Sequence, residues 1–242
     1  MISSKLSLSV GSLCLLLLGI DAQPTPPPIP IPSQPLTYGA CEPEDFDADA
    51  LTKVLKKPVP RTCIDVTQKG GATKERCFYT YVPTSCASLD LKVPLVVDSH
   101  GARSCPKFHM TYSGWLPKSE EECFVLVFPS GNEPSDDIYS TCWNIPGGAT
   151  DFDFLFDGGN DVITQNCCCR KNEEYPIFDV STDEYDDSLF LKAVIDEVLE
   201  SFETITEDAG IETALSLDHD RVYMAGHSNG KCCSLVYSDL SL

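Results

Sequence analysis

The sequence predicts an α/β fold, in which a mostly parallel sheet with flanking helices is preceded by an antiparallel hairpin. Two apolar runs, Val93–Asp98 and Cys123–Phe128, are nearly continuous, as is typical of strands buried on both faces of a sheet. A helical pattern between residues 186 and 202 separates them from a third apolar run, Arg221–Ala225. Because strands that alternate with helices are joined by right-handed crossovers, these strands are expected to be parallel.

The hairpin is predicted by Thr62–Thr67 and Arg76–Val82, two segments rich in β-branched and aromatic residues that flank Lys69-Gly70-Gly71. Ahead of it, the amphipathic piece Ala48–Lys57 predicts one or two helical turns, which Pro58 ends.

The helix expected after residue 186 has signals at its start and along one face. Asp186, Asp187 or Ser188 can cap its first turn, where negative charge also suits the helix dipole. Its buried stripe is predicted from apolar residues at helical spacing: Leu191, Ile195, Val198 and Phe202. A shorter helix is expected within residues 108–118.

Residues 130–185 are rich in Gly, Pro, Asn and Asp, which indicates a long loop of the kind that is usually functional or flexible. The aromatic and acidic run Phe152–Asp157 within it either packs against the domain or lines a substrate mouth.

The charge of the chain limits its partners. The 242 residues include 17 Lys and Arg against 37 Asp and Glu, for a formal charge of −20. Nucleic acids and anionic membranes attract basic surfaces, so neither is expected as a partner. The length suits one domain with a substantial core, and the acidity is typical of a solvated secreted protein.

The N-terminus has the pattern of a secretory signal peptide. Lys5 supplies the positive charge, Leu13–Leu18 form the centre of the apolar stretch, and cleavage is expected after Ala22. Residues 1–22 are therefore predicted to be removed, and residues 23–40, with seven prolines between 24 and 35, to form an extended linker. The mature protein is expected to be secreted and extracellular.

The cysteine count agrees with that compartment. Of 13 cysteines, Cys14 would leave with the signal peptide, and the even number that remains favours disulfides in a secreted chain. A zinc site is disfavoured, because no Cys-x-x-Cys pair occurs. Neither a metal nor an organic cofactor is expected.

The segment with the clearest chemistry is Gly226-His227-Ser228-Asn229-Gly230, which follows an apolar run and precedes a possible helix. A strand, a Gly-x-Ser-x-Gly turn and a helix together form a nucleophile elbow, which presents a serine hydroxyl on a sharp turn. Gly226 and Gly230 would permit close approach of the backbone, and the N–H of Asn229 would face a developing oxyanion. The alternative is a chance match, since glycine and serine are common.

These segments together resemble the secreted esterases of the polyhydroxybutyrate depolymerase and feruloyl esterase type, α/β-hydrolases that also include acetylxylan esterases. The resemblance covers about residues 60–237 and depends on the order and spacing of six segments. These are Pro94–Gly101, Ser113-Gly114-Trp115, the strand into Pro129 and Gly131, Cys142-Trp143-Asn144, Asp186-Asp187, and Asp220–Tyr223 with the elbow after it.

The resemblance implies that Ser228 attacks an ester carbonyl and forms an acyl-enzyme. The substrate would be a small or polymer-linked ester of the feruloyl, acetyl or hydroxybutyrate type. The oxyanion hole would use the N–H groups of Asn229 and of Ala102, which follows His100-Gly101, and Trp143 would belong to a structured loop beside the substrate cleft. Two departures from the family are the sparse glycine around Ala102 and the Lys-Cys-Cys segment at residues 231–233.

A third and larger departure concerns the catalytic triad, which in this fold runs serine, then acid, then histidine along the chain. The twelve residues after Gly230 contain Asp239 and no histidine. Of the histidines, His100 is expected to be structural, and His227 to point away from its neighbour Ser228. The other two, His109 and His219, are expected on the surface or in loops.

Residues 41–242 are therefore expected to be the N-terminal part of an incomplete α/β-hydrolase domain, with little or no esterase activity as written. Two alternatives remain open. One is a non-catalytic secreted, cysteine-rich relative, for binding or structure, that kept the elbow. The other is an unrelated cysteine-rich domain with a chance motif.

Overall fold

The computed structural model describes residues 45, 47–101, 104–131, 143, 170–172, 175–179, 186–227 and 230. The predicted signal peptide, the proline-rich linker, the run at residues 152–157 and the last twelve residues lie outside them. The helices are α1 (Ala50–Leu55), α2 (Pro106–Tyr112), α3 (Trp115–Glu122) and α4 (Asp187–Asp208). The strands are β1 (Arg61–Thr67), β2 (Thr73–Tyr81), β3 (Lys92–Ser99), β4 (Val125–Pro129), β5 (Arg170–Asn172), β6 (Tyr175–Asp179) and β7 (Ser216–Gly226).

Five strands form one sheet in the order β1-β2-β4-β3-β7. The pairs β1–β2 and β2–β4 are antiparallel, whereas β3 is parallel to both β4 and β7. Four strands therefore run in one direction and β2 runs against them. The predicted α/β fold class, with a leading antiparallel hairpin, is confirmed.

The two central strands are buried on both faces, as their continuous apolar sequences predicted. In β3, Leu95 and Val97 pack with α4 on one face, and Val96 packs on the other face with α1, α2 and α3. In β4, Val125 and Leu126 divide between the two faces in the same way. This alternation follows from the two-residue period of a strand.

Helix α4 begins as predicted. The carboxylate of Asp186 caps it by accepting hydrogen bonds from the N–H groups of Ser188 and Leu189, at 3.0 and 3.4 Å. Asp187 forms a buried ion pair with Arg76 of β2, at 2.7 Å. The predicted apolar stripe is buried along its whole length: Leu191, Ile195, Val198 and Phe202.

The structure differs from the sequence prediction in three places. The helix expected within residues 108–118 is divided into α2 and α3, because Gly114 has a left-handed φ of 77° between them. Strand β7 begins at Ser216 rather than Arg221, since Ser216 and Leu217 already pair with β3 before a bulge. The long segment 130–185 contains the two-stranded ladder of β5 and β6.

Disulfides are present, as expected from the cysteine count. Cys63 bonds Cys77 across the β1–β2 hairpin, Cys86 bonds Cys123, and Cys105 is also disulfide-bonded. Among the helices of the described residues, none combines the length and the apolar character that crossing a membrane requires.

Candidate active site

The candidate site lies where β3 and β7 end side by side. Their parallel register places Asp98 beside Ala225 and Ser99 beside Gly226, so both carboxyl ends meet at one edge of the sheet. In open α/β sheets this edge is where ligands bind.

A short turn is attached to this edge immediately after β7. The N–H of His227 donates to the carbonyl of Ser99 at 3.1 Å, and the N–H of Gly230 donates to the carbonyl of His227 at 2.9 Å. The predicted nucleophile Ser228 and oxyanion donor Asn229 are the two residues between these anchors, and they lie outside the described residues.

Gly230 is placed where no other residue fits. A Cβ at this position would lie 2.2 Å from the carbonyl oxygen of Ser99 and 2.4 Å from that of His100. Backbone atoms cannot move aside as a flexible side chain can. The backbone at Gly230 therefore lies directly against the end of β3.

His100, the first residue after β3, is fully buried with both ring nitrogens bonded. Its Nδ1–H donates to the carbonyl of Gly101 at 2.8 Å, and its Nε2 accepts from the N–H of Gly131 at 2.9 Å. Burial lowers the pKa of His100 to about 3, although its bond to the Gly101 carbonyl favours the charged form. The ring is therefore neutral, and both of its nitrogens are engaged in hydrogen bonds.

Trp143 completes the support of this loop. Its Nε1–H donates to the carbonyl of His100 at 2.7 Å, and the two rings lie 5.0 Å apart. The Trp143 side chain is fully buried, so in this structure it holds the loop instead of presenting a face to solvent. The second predicted oxyanion donor, Ala102, belongs to this loop but lies outside the described residues.

His109 corrects the sequence interpretation. It was expected at the surface or in a loop, but it is buried against Phe128 on the face of the sheet that α2 covers. Its Nε2 lies 2.8 Å from Oδ2 of Asp98, and its Nδ1 lies 3.0 Å from the hydroxyl oxygen of Tyr112. The contact between these two atoms lacks hydrogen-bond geometry.

The prediction for His109 failed because sequence reasoning considered each histidine alone. The signal was the acidic residue at the end of an otherwise apolar strand: a carboxylate at Asp98 needs a partner once the strand is buried. Helix α2 supplies that partner, with His109 and Tyr112 on one face because they are three residues apart.

The other two histidines are exposed. The ring of His227 contacts the edge of the Tyr112 ring, with centroids 5.9 Å apart. His219 lies on β7 seven residues before Gly226, which places it ~23 Å from the site along the strand.

Among the residues that the structure describes, one cluster has metal-binding residue types. The donor atoms of Cys63, Glu75 and Cys77 lie within 4.8 Å of one another. However, the two sulfurs are bonded to each other, and a cysteine binds a metal as a free thiolate.

Neither the family models nor the curated proteins compared with the sequence match it. Solved structures similar to the chain include an acetyl xylan esterase from Aspergillus awamori (16% identity, TM-score 0.34, 70% of this chain and 43% of that one). An S-formylglutathione hydrolase from Agrobacterium tumefaciens is 14% identical (TM-score 0.37, 75% and 53%). A ferulic acid esterase from Anaeromyces mucronatus is 18% identical (TM-score 0.31, 72% and 50%). The chain thus spans about half the length of these structures.

Proposed function

We propose that this protein is a secreted carboxylic ester hydrolase that forms an acyl-enzyme on Ser228. The observation that carries the proposal is the attachment of the Gly-x-Ser-x-Gly turn to the carboxyl end of β3, with Gly230 against the carbonyls of Ser99 and His100. A nucleophile elbow presents its serine at this edge of an α/β-hydrolase sheet, on the turn that follows a strand.

The support of the neighbouring loop agrees with an oxyanion hole. Donors that stabilise an oxyanion must be held in place before the reaction, because reorganising them would cost part of their benefit. His100 fixes the loop through Gly101 and Gly131, and Trp143 fixes it through the His100 carbonyl. We propose that the N–H groups of Ala102 and Asn229 face the carbonyl oxygen of the ester.

In the proposed reaction, the Ser228 hydroxyl attacks the ester carbonyl carbon, and the tetrahedral intermediate collapses with loss of the alcohol. Water then attacks the acyl-enzyme and releases the acid. Feruloyl, acetyl and hydroxybutyrate esters all suit this chemistry. Disulfides at the described cysteines support folding in an oxidising compartment, and hence secretion.

The direct test is a fluorophosphonate probe, which reacts with activated serines, applied to the secreted chain and followed by mass spectrometry of the labelled peptide. We expect labelling at Ser228 that Ser228→Ala abolishes. Ser216→Ala is the matched control, because Ser216 is exposed at the opposite end of β7. If a chain that is folded by circular dichroism is not labelled, the proposal is wrong and the non-catalytic alternative is favoured.

The acyl specificity is tested with the same variants on p-nitrophenyl acetate, methyl ferulate and a hydroxybutyrate oligomer. The ratio of kcat/KM values ranks the three acyl groups, and all three activities should disappear in Ser228→Ala.

A further inference from the structure

The disulfide of the β1–β2 hairpin lies on the side of the sheet opposite β7, and the proposed function does not use its chemistry. Cys63 and Cys77 stand directly opposite each other in the antiparallel register. Among the described strands, β1 is the last one on this side of the sheet. Cys77 is buried, whereas Cys63 is partly exposed. A thiol in solution therefore reaches this disulfide by way of the Cys63 sulfur.

A guanidinium contacts the same sulfur. Arg61 and Cys63 are two residues apart on β1, so their side chains lie on one face of the strand. Nη1 of Arg61 donates a hydrogen bond to Sγ of Cys63 at 3.1 Å. A hydrogen bond from a charged donor becomes stronger when its acceptor becomes an anion. The contact therefore favours a Cys63 thiolate over the sulfur of the disulfide, and a neighbouring arginine is one of the settings that make a cysteine reactive.

We propose that Cys63–Cys77 is a redox-active disulfide that exchanges with small thiols in the folded chain, and that Arg61 favours the exchange by stabilising the Cys63 thiolate. The inference does not depend on the proposed esterase function. It concerns residues at the other side of the sheet, and its test measures cysteine oxidation rather than ester hydrolysis.

The exchange balances in two steps when a dithiol is the reductant. One thiolate of the dithiol attacks Sγ of Cys63, the bond to Cys77 breaks, and the Cys77 sulfur leaves with the electron pair and takes a proton. The second thiolate of the dithiol then attacks its partner sulfur, and Cys63 leaves as the thiolate that Arg61 holds. The cysteine pair has gained two electrons and the dithiol has become a cyclic disulfide. Of the two protons of the dithiol, one is on Cys77 and one is in solvent.

The disulfide between Cys86 and Cys123 provides a comparison within the same chain. It also joins a buried cysteine to a partly exposed one, so exposure alone does not distinguish the two disulfides. In the described part of the chain, no arginine or lysine donates a hydrogen bond to either of its sulfurs, and Sγ of Cys86 lies 3.4 Å from the Ser85 hydroxyl instead. Cys63–Cys77 is therefore expected to be the more easily reduced of the two.

Two carboxylates act against Arg61. Asp65 and Glu75 face each other at the next position on the same face of the hairpin, and a carboxylate oxygen of Glu75 lies within 4.8 Å of both sulfurs. Both side chains are exposed, so water and salt screen their repulsion of a thiolate. Arg61 is in direct contact with the sulfur, so its effect is the larger one. Removing the positive charge and removing the negative charge should shift the disulfide in opposite directions.

The test equilibrates the secreted chain with mixtures of reduced and oxidised dithiothreitol, followed by alkylation and mass spectrometry of the peptide that carries each cysteine. We expect Cys63 and Cys77 to be reduced at a lower ratio of reduced to oxidised reagent than Cys86 and Cys123. The circular dichroism should remain that of the folded chain when only the first pair is reduced. Reduction of Cys86 and Cys123 first, or of all four in one step with unfolding, would overturn the proposal.

Two variants test the charges. Arg61→Gln should raise the reagent ratio needed for half reduction of Cys63–Cys77 about 10-fold, since a neutral donor replaces a charged one. Glu75→Gln should lower that ratio by up to about 3-fold. Arg221→Gln is the matched control, because this arginine lies on β7 at the opposite edge and bonds oxygen atoms only.

Each variant is first shown to be folded by circular dichroism. If folded Arg61→Gln is half reduced at the same ratio as wild type, the guanidinium does not stabilise the thiolate and the proposal is wrong. If Arg61→Gln does not fold, Glu75→Gln decides, and an unchanged ratio in that variant rejects the proposal.

Discussion

Two buried carboxylates on the same face of the sheet, Glu120 and Asp98, differ in how completely their charge is satisfied. Glu120 accepts hydrogen bonds from the Tyr81 hydroxyl at 2.6 Å and from the N–H groups of Thr84 and Ser85 at 3.0 and 2.8 Å. Lys57 adds an ion pair at 3.1 Å. These donors lie on β2, on the turn at residues 84–85 and just after α1. Together with α3, which carries Glu120, the carboxylate therefore connects four segments.

Asp98 has a much poorer environment. Its Oδ2 faces Nε2 of His109 at 2.8 Å without hydrogen-bond geometry, and both atoms are buried. A fully bonded polar network makes a core rigid and specific, whereas a partly bonded one costs stability. The comparison indicates that the charge of Glu120 contributes more to the stability of the fold than the charge of Asp98 does.

The largest effect is expected from Gly230→Ala, because it moves the end of β3 and leaves the Glu120 cluster in place. A Cβ 2.2 Å from the Ser99 carbonyl must displace backbone. We expect at least a 100-fold loss of kcat/KM, since a displacement of about 1 Å at a site costs that much. Urea unfolding should show a loss of about 3 kcal/mol.

Gly210→Ala is the matched control for that variant. Gly210 has a left-handed φ of 66°, but a Cβ there meets no atom within 4 Å. We expect a loss of about 1 kcal/mol from backbone strain and unchanged kcat. Equal kinetic effects in the two glycine variants would contradict the role of the β3 end in the site.

Glu120→Ala is expected to cost about 3 kcal/mol of unfolding free energy, because it leaves buried donors and Lys57 without their shared acceptor. Thermal and urea unfolding measure this loss, and kcat of the folded fraction should be unchanged. Glu121→Ala is the control, since the Glu121 side chain is 68% exposed and should contribute less than about 0.5 kcal/mol. A loss of kcat in folded Glu120→Ala would remove the distinction between the two carboxylates.

Asp98→Asn should cost much less stability than Glu120→Ala. Asparagine keeps the shape of the side chain, and the wild-type contact with His109 lacks hydrogen-bond geometry. Unfolding free energy should therefore change by no more than ~1 kcal/mol. Asp65→Asn, an exposed position on β1, should leave it unchanged. A stability loss as large as that of Glu120→Ala would remove the distinction between the two carboxylates.

The sequence predicted those parts of the fold that depend on local periodicity. The apolar runs predicted β3 and β4 with both faces buried, and the spacing from Leu191 to Phe202 predicted the buried face of α4. The elbow motif likewise located the turn that follows β7.

Contacts between distant segments could not be predicted in the same way. Glu120 and Tyr81 are 39 residues apart, and Arg76 and Asp187 are 111 residues apart. Which buried charges meet depends on how α3 and α4 are placed on the sheet, and one sequence does not carry that information. The pairing of Asp98 with His109 was missed for this reason, although both residues were visible.

The smallest effect expected is a loss of stability at low pH that is caused by protonation of Glu120. Burial alone would raise the pKa of Glu120, but hydrogen bonds from Tyr81, Ser85 and Thr84 and the charge of Lys57 outweigh it and lower the pKa from 4.5 to about 2. The unfolded chain therefore takes up a proton at a pH where the folded chain does not. The stabilisation is complete above pH 4.5 and is lost as the pH falls toward about 2.

Unfolding free energies measured between pH 7 and pH 2.5 should therefore fall less steeply in Glu120→Gln than in wild type. The difference in slope corresponds to the uptake of up to one proton on unfolding. Tyr81→Phe removes the donor at 2.6 Å and should move the acid loss of stability to higher pH. Superimposable pH profiles for wild type and Glu120→Gln would show that the Glu120 charge is not what the four segments are bonded to. Glu120 would then not differ from Asp98 in how much its charge stabilises the fold, because a carboxylate that can be neutralised without a loss of unfolding free energy does not hold the fold together.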